Sequence, residues 1–82
     1  MKTLRLYSRP ECHLCDELAA ALDPIIRGRA RLEVVNIDND LALKKRYGLR
    51  IPVLVGGDRE LSAYPLDAAA VETYLTSVHG GY

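Results

Sequence analysis

The sequence predicts an α/β domain, one mixed four-stranded sheet with helices on both faces, in the order β-α-β-α-β-β-α. Three observations carry this. Apolar residues switch between a period of two and a helical period along the chain, so strands and helices alternate through most of it. A strand, a helix and a strand at this spacing give a right-handed parallel crossover. Gly56-Gly57-Asp58, set between two strand-like runs, gives a tight antiparallel turn. One sheet holding both kinds of pair, covered by helices on each side, satisfies all three.

The elements follow in order. Leu4 and Leu6 alternate with Thr3, Arg5 and Tyr7 as a first strand, which Ser8-Arg9-Pro10-Glu11 interrupts. From Cys12 the spacing becomes helical, with Leu14, Leu18, Leu22 and Ile25 or Ile26 on one face and Leu14 as the first core residue. Pro24 should kink this helix or end it early, because proline lacks the amide and clashes with the preceding turn. Gly28 marks the exit. Leu32, Val34, Val35 and Ile37 form a second strand, and their adjacency predicts burial on both faces. Asp38-Asn39-Asp40 supplies caps for a short helix through Leu41, Leu43 and Tyr47, closed by Gly48. Ile51 to Val55 is a third strand beginning at a proline, and Arg59 to Ala63 returns from the hairpin until Pro65. Asp67 caps a last helix with Val71, Tyr74, Leu75 and Val78 on one face, and Leu66 with Val71 forms a hydrophobic staple across that cap. Gly80-Gly81-Tyr82 reads as a frayed end.

Residues 1–82 leave room for one domain. Hydrophobic residues make up 49% of the chain, enough for a single core. Lys plus Arg number 11 and Asp plus Glu number 11, a balance that argues against nucleic-acid binding. No stretch is apolar enough for a secretory signal or a membrane span, so no membrane association is expected and the default address is the cytoplasm. No long exposed apolar stripe points beyond a monomer.

Two cysteines are too few for a disulfide framework. In a reducing compartment, Cys12-His13-Leu14-Cys15 reads instead as a redox or metal-binding pair. Its position between a strand and a helix matters more than the motif alone. Free amides and the helix dipole stabilise negative charge at a helix start, and the thiolate is the form that attacks a disulfide. Cys12, nearer the exposed end, is the candidate nucleophile, and Cys15, one turn in, the candidate resolving thiol. The plainer alternative is two free thiols that only pack. A zinc set of both cysteines with His13 and His79 is a weaker one, since His13 lies between the cysteines and His79 near the end. His13 and Arg9 are placed to favour the thiolate, and Arg9 to hold a substrate carboxylate, while Glu11 and Asp16 oppose ionisation. Either cation would otherwise be an ordinary solvated residue.

Tyr7 to Cys15 and Tyr47 to Leu54 together resemble the glutaredoxins, and more closely the small glutaredoxin-like proteins of bacteria. The resemblance implies a thioredoxin-like fold with sheet order 2-1-3-4. It implies a cis Pro52 beside the cysteines, and an Ile51 whose backbone meets an extended substrate as an added strand would. Arg9 matches the family's basic residue that helps hold glutathione. The chain departs from the family elsewhere. It lacks the Pro and Tyr usual between the cysteines, Arg50-Ile51-Pro52 replaces Thr-Val-Pro, and Ser62 to Asp67 replaces the Gly-Gly and acidic pair. Only Asp67 remains there as an acidic contact.

The resulting expectation is a thiol–disulfide oxidoreductase with no bound cofactor. Its substrate would be a protein disulfide or a low-molecular-weight thiol, its reductant glutathione or a reductase. A redox-sensing binding module with little turnover is the main alternative, and an iron–sulfur carrier a lesser one.

Overall fold

The computed structural model describes residues 2–77. Strand β1 (Lys2–Ser8) leads into helix α1 (His13–Ile26), then β2 (Ala30–Asn36). A single 3₁₀ turn (Ile37–Asn39) precedes helix α2 (Leu41–Tyr47). The hairpin β3 (Val53–Gly56) and β4 (Arg59–Ser62) follows, then α3 (Ala68–Thr76). The sheet order is β2-β1-β3-β4, with β1 and β2 parallel and the other pairs antiparallel. This is the α/β architecture expected from the sequence, with the strand order that the resemblance implies.

Alternation along the central strands divides the core in two. Leu4 and Leu6 of β1 and Leu54 of β3 point to one face, where Leu18, Leu22 and Ile26 of α1 and Val71 of α3 cover them. Val53 and Val55 point to the other, packed with Ile37 and with Tyr47 of α2. Each fully buried Leu or Val contributes about 1.5–3 kcal/mol. The Tyr7 and Tyr47 rings stack with centroids 4.5 Å apart, joining β1 to the end of α2. Leu66 packs against the Val71 cluster as the staple reading expects.

Several sequence expectations need correcting. Leu14 is 43% exposed, and Cys15, at 3%, begins the buried face of α1 in its place. The two are adjacent, and the neighbour one residue on is rotated inward over β1. Helix α1 runs through Pro24 to Ile26. Pro24 lies on the exposed side near the last turn, where water can satisfy the carbonyl it leaves unbonded. The helix exits at Gly28 with φ +78°, a left-handed conformation that glycine adopts without a Cβ clash.

Strand β2 is not buried on both faces. It is an edge strand, and Val34 is 61% exposed. Ile37 lies beyond it, buried in the 3₁₀ turn. Leu41 faces solvent at the start of α2. Ile51 and Pro52 precede β3 rather than belonging to it. Gly57, at φ +62°, forms the hairpin turn with Asp58. Val78, His79 and the Gly80-Gly81-Tyr82 end lie outside the described residues.

Candidate functional site

Parallel pairing brings β1 and β2 to their carboxyl ends at one edge of the sheet, and β3 starts at that same edge. Tyr7 pairs with Val53. The register continued by one residue sets Pro52 opposite Ser8, beside the turn that leads to Cys12. Ser62, the last residue of β4, pairs with Leu54, so the segment into α3 also leaves from this end. Topology therefore gathers the starts of α1 and α3 and the Ile51-Pro52 segment at one edge. This follows from strand directions more than from any single side chain.

Cys12 and Cys15 are joined in a disulfide, with Cα atoms 5.2 Å apart. Cys12 is the N-cap of α1, in extended backbone, and its Sγ accepts the Cys15 backbone N–H at 3.1 Å. A sulfur here stands where a helix normally places Ser, Thr, Asp or Asn. The first-turn amides and the positive end of the helix dipole surround it, which favours a thiolate whenever the disulfide opens. Cys12 is half-buried and Cys15 buried. The preceding Glu11 has φ +62°, a left-handed conformation that costs a residue with a Cβ about 1–2 kcal/mol. That backbone turn aims Cys12 at the helix start.

The two cations expected near Cys12 are otherwise engaged. Arg9 donates to Asp38 at 3.2 Å, across the end of β2. His13 lies 2.6 Å from the Glu17 carboxylate, one helical turn on. The other oxygen of Glu17 accepts the Tyr64 hydroxyl at 2.7 Å. That bond ties α1 to the segment before α3 and raises the Tyr64 pKa, because the hydroxyl is held by a carboxylate. All three surface links are exposed and contribute little stability.

Ile51–Pro52 is a cis peptide, and so is Tyr64–Pro65, which the sequence reading does not anticipate. The Ile51 N–H donates to the Tyr47 carbonyl at 3.0 Å. Asp67 is the N-cap of α3 and accepts the Ala70 N–H at 3.0 Å, the capping role its position suggests. Its own N–H donates to Ser62 Oγ at 2.8 Å. Glu17, Tyr64 and Tyr47 were missed as residues that shape this end. Glu17 stands four residues after His13, a spacing that puts the two on one helix face and was available as a signal. Contact between Tyr64 and Glu17 is long-range and left no trace in the sequence. Among the described residues no group of three or more His, Cys, Asp or Glu side chains could hold a metal, and His79 lies outside them.

The family model for the glutaredoxin-like domain (DUF836) matches residues 3–76. The chain belongs to this glutaredoxin-like family. It is similar to the X-ray structure of Northeast Structural Genomics target protein XcR50 from X. campestris. That match has 42% identity and TM-score 0.69, over 88% of this chain and 93% of that one. The solution structure of the same target agrees, with 43% identity and TM-score 0.68, over 92% of each chain. A structure described as a malarial protein shares the fold at 14% identity and TM-score 0.54, over 87% of this chain and 89% of that one. No curated protein matches the chain. The thioredoxin-like fold and a cysteine pair placed for thiol redox chemistry thus rest on both the geometry and the family.

Proposed function

We propose that this glutaredoxin-like chain is a thiol–disulfide oxidoreductase. The observation that carries the reading is the sulfur N-cap: Cys12 Sγ sits at the start of α1, bonded to Cys15 and accepting its N–H. In the reduced protein, the Cys12 thiolate attacks one sulfur of a substrate disulfide. A mixed disulfide forms, and the other substrate sulfur leaves as a thiol after taking up a proton. Cys15, deprotonated, then attacks Cys12 Sγ. The Cys12–Cys15 disulfide forms and the second substrate thiol departs. Two electrons have passed from the dithiol to the substrate, and glutathione or a reductase returns them.

Ile51 and Pro52 flank the approach to Cys12, and the Ile51 carbonyl is the backbone group for an extended substrate. Arg9, paired with Asp38, is the side chain for a substrate carboxylate, and His13, paired with Glu17, the one beside the Cys12 thiolate. A reducing compartment such as the cytoplasm suits this direction of electron flow.

Equilibration in graded glutathione buffers, followed by acid quench, alkylation and mass analysis, tests the reading. A Cys12–Cys15 disulfide that forms within roughly −220 to −320 mV supports exchange at cytosolic poise. A glutathione adduct at Cys12 supports the glutathione route in particular. Thiols that stay free across the whole range would contradict the proposal.

A further inference from the structure

Helix α2 and the turn behind it carry a local excess of positive charge at the Cys12 end of the sheet. Lys44, Lys45 and Arg46 are consecutive and exposed in the last turn of α2, and Arg50 follows after Leu49. Glu60 pairs with Arg50, whose hydrogen bond, together with the charge of nearby Arg46, holds its carboxyl below the usual range. Among the described residues Lys44 and Lys45 form no ion pair. The whole chain is neutral, so this charge is a feature of one surface and not of the composition.

Basic residues in a last turn complement the helix dipole, and that accounts for part of the pattern. It does not account for its position. The Arg50 and Ile51 N–H groups both donate to the Tyr47 carbonyl, which folds the chain from the basic turn straight into Ile51-Pro52. The cations therefore border the edge along which an extended substrate approaches Cys12. Leu49, fully exposed, lies between them and Ile51.

We infer that this surface selects the substrate. It takes polypeptide disulfides that carry acidic side chains within a few residues of the reacting cysteine. The inference rests on the exchange reading above and narrows it. At about 3.3 Å per extended residue, a strand laid beside Ile51 reaches one helical turn back within about two to four residues. Lys44 and Lys45 then meet its carboxylates, and the attraction acts chiefly on the rate of encounter. The step is the exchange already written, with the polypeptide disulfide as oxidant.

Single-turnover oxidation of the reduced protein tests this. Two peptide disulfides are compared, identical except that one carries two Glu and the other two Lys beside the cysteine, with an uncharged small disulfide as a third oxidant. The Glu peptide should react about tenfold faster than the Lys peptide at low ionic strength, with the ratio falling towards one as salt is added. Lys44→Gln/Lys45→Gln should bring the ratio near one even at low salt, and Lys44→Glu/Lys45→Glu should invert it. Equal peptide rates in the wild-type protein, while the small disulfide still reacts, would overturn the selection and leave the exchange reading standing. A preference that survives both variants would overturn it too. No reaction with any of the three would remove the exchange reading itself, and the selection with it.

Discussion

Helices α1 and α3 begin at the same end of the sheet, and different atoms cap them. At α3 the cap is the Asp67 carboxylate, a strong acceptor that binds the Ala70 N–H. At α1 the cap is Cys12 Sγ, a weak acceptor bonded to Cys15. The first arrangement suits a helix that only has to be stable. The second leaves first-turn amides poorly satisfied in the oxidised protein and ready for a thiolate in the reduced one. Both helices are entered through unusual backbone, α3 after the cis Tyr64–Pro65 bond and α1 through Glu11 at positive φ, so the contrast lies in the capping atoms. The contrast separates capping for stability from capping for chemistry within one edge of one sheet.

The largest effect that could break this contrast is at Cys12. Cys12→Ser should reduce disulfide exchange to the uncatalysed background. At a pH low enough to keep Cys12 a thiol, it should also raise stability above that of the reduced wild-type protein by ~0.5–1 kcal/mol, because a hydroxyl is a better cap than a thiol. Paired exchange assays and urea titrations check both halves. A variant that is inactive and also less stable under those conditions would mean that the sulfur caps α1 at least as well as a hydroxyl does, and the contrast with α3 would fail.

Asp67→Ala should do the opposite. Loss of the carboxylate cap should cost about 1 kcal/mol in urea unfolding, with kcat/KM for a disulfide substrate nearly unchanged. A several-fold rise in KM at unchanged kcat would show that Asp67 also touches substrate, and the division between the two helices would narrow.

Next in size is Glu11→Gly. Glycine relieves the left-handed strain but adds freedom to the unfolded chain, so a net gain of about 0.5–1 kcal/mol is expected in the urea midpoint. A loss would mean that the Glu11 side chain stabilises this turn by contacts that outweigh its backbone cost.

The smallest effect concerns the link between the two helix starts. Tyr64 should ionise above the ordinary tyrosine value of about 10, and Glu17→Gln should return it towards that value. A folded-state pKa that is raised stabilises the fold below the unfolded value, and that stability is lost as pH rises through the raised one. Near-UV absorbance titration of both proteins reads the shift. An identical Tyr64 titration in Glu17→Gln would show that the bond does not persist in solution.

Much of this was legible because it depends on spacing. The strand alternation of Leu4 and Leu6, the Gly-Gly-Asp turn, and a cysteine pair after a strand all act locally, and they placed Cys12 at a helix start. What was not legible depends on neighbours in space. Leu14 and Cys15 are adjacent, and hydrophobicity favours the leucine as the inward residue. Only the docking of α1 on β1 decides that the cysteine turns in. Val34 and Val35 read as a doubly buried strand, and only the sheet order shows β2 to be an edge. Glu11 at positive φ and the Tyr64–Glu17 bond have no signature short of the folded chain. Arg9 sits in the loop between β1 and α1, as its place in the chain dictates, but its partner Asp38 lies across a strand end and has no signature in the sequence.

The division of labour between the two cysteines is tested most directly by trapping. Cys15→Ser and Cys12→Ser, both reduced, are mixed with a peptide disulfide, quenched in acid and weighed by mass spectrometry. The expected result is one peptide attached to Cys12 in the Cys15→Ser protein, and no comparable adduct in the Cys12→Ser protein. A stable adduct on Cys15 alone, or equal adducts on both, would contradict the assignment of Cys12 as the attacking sulfur.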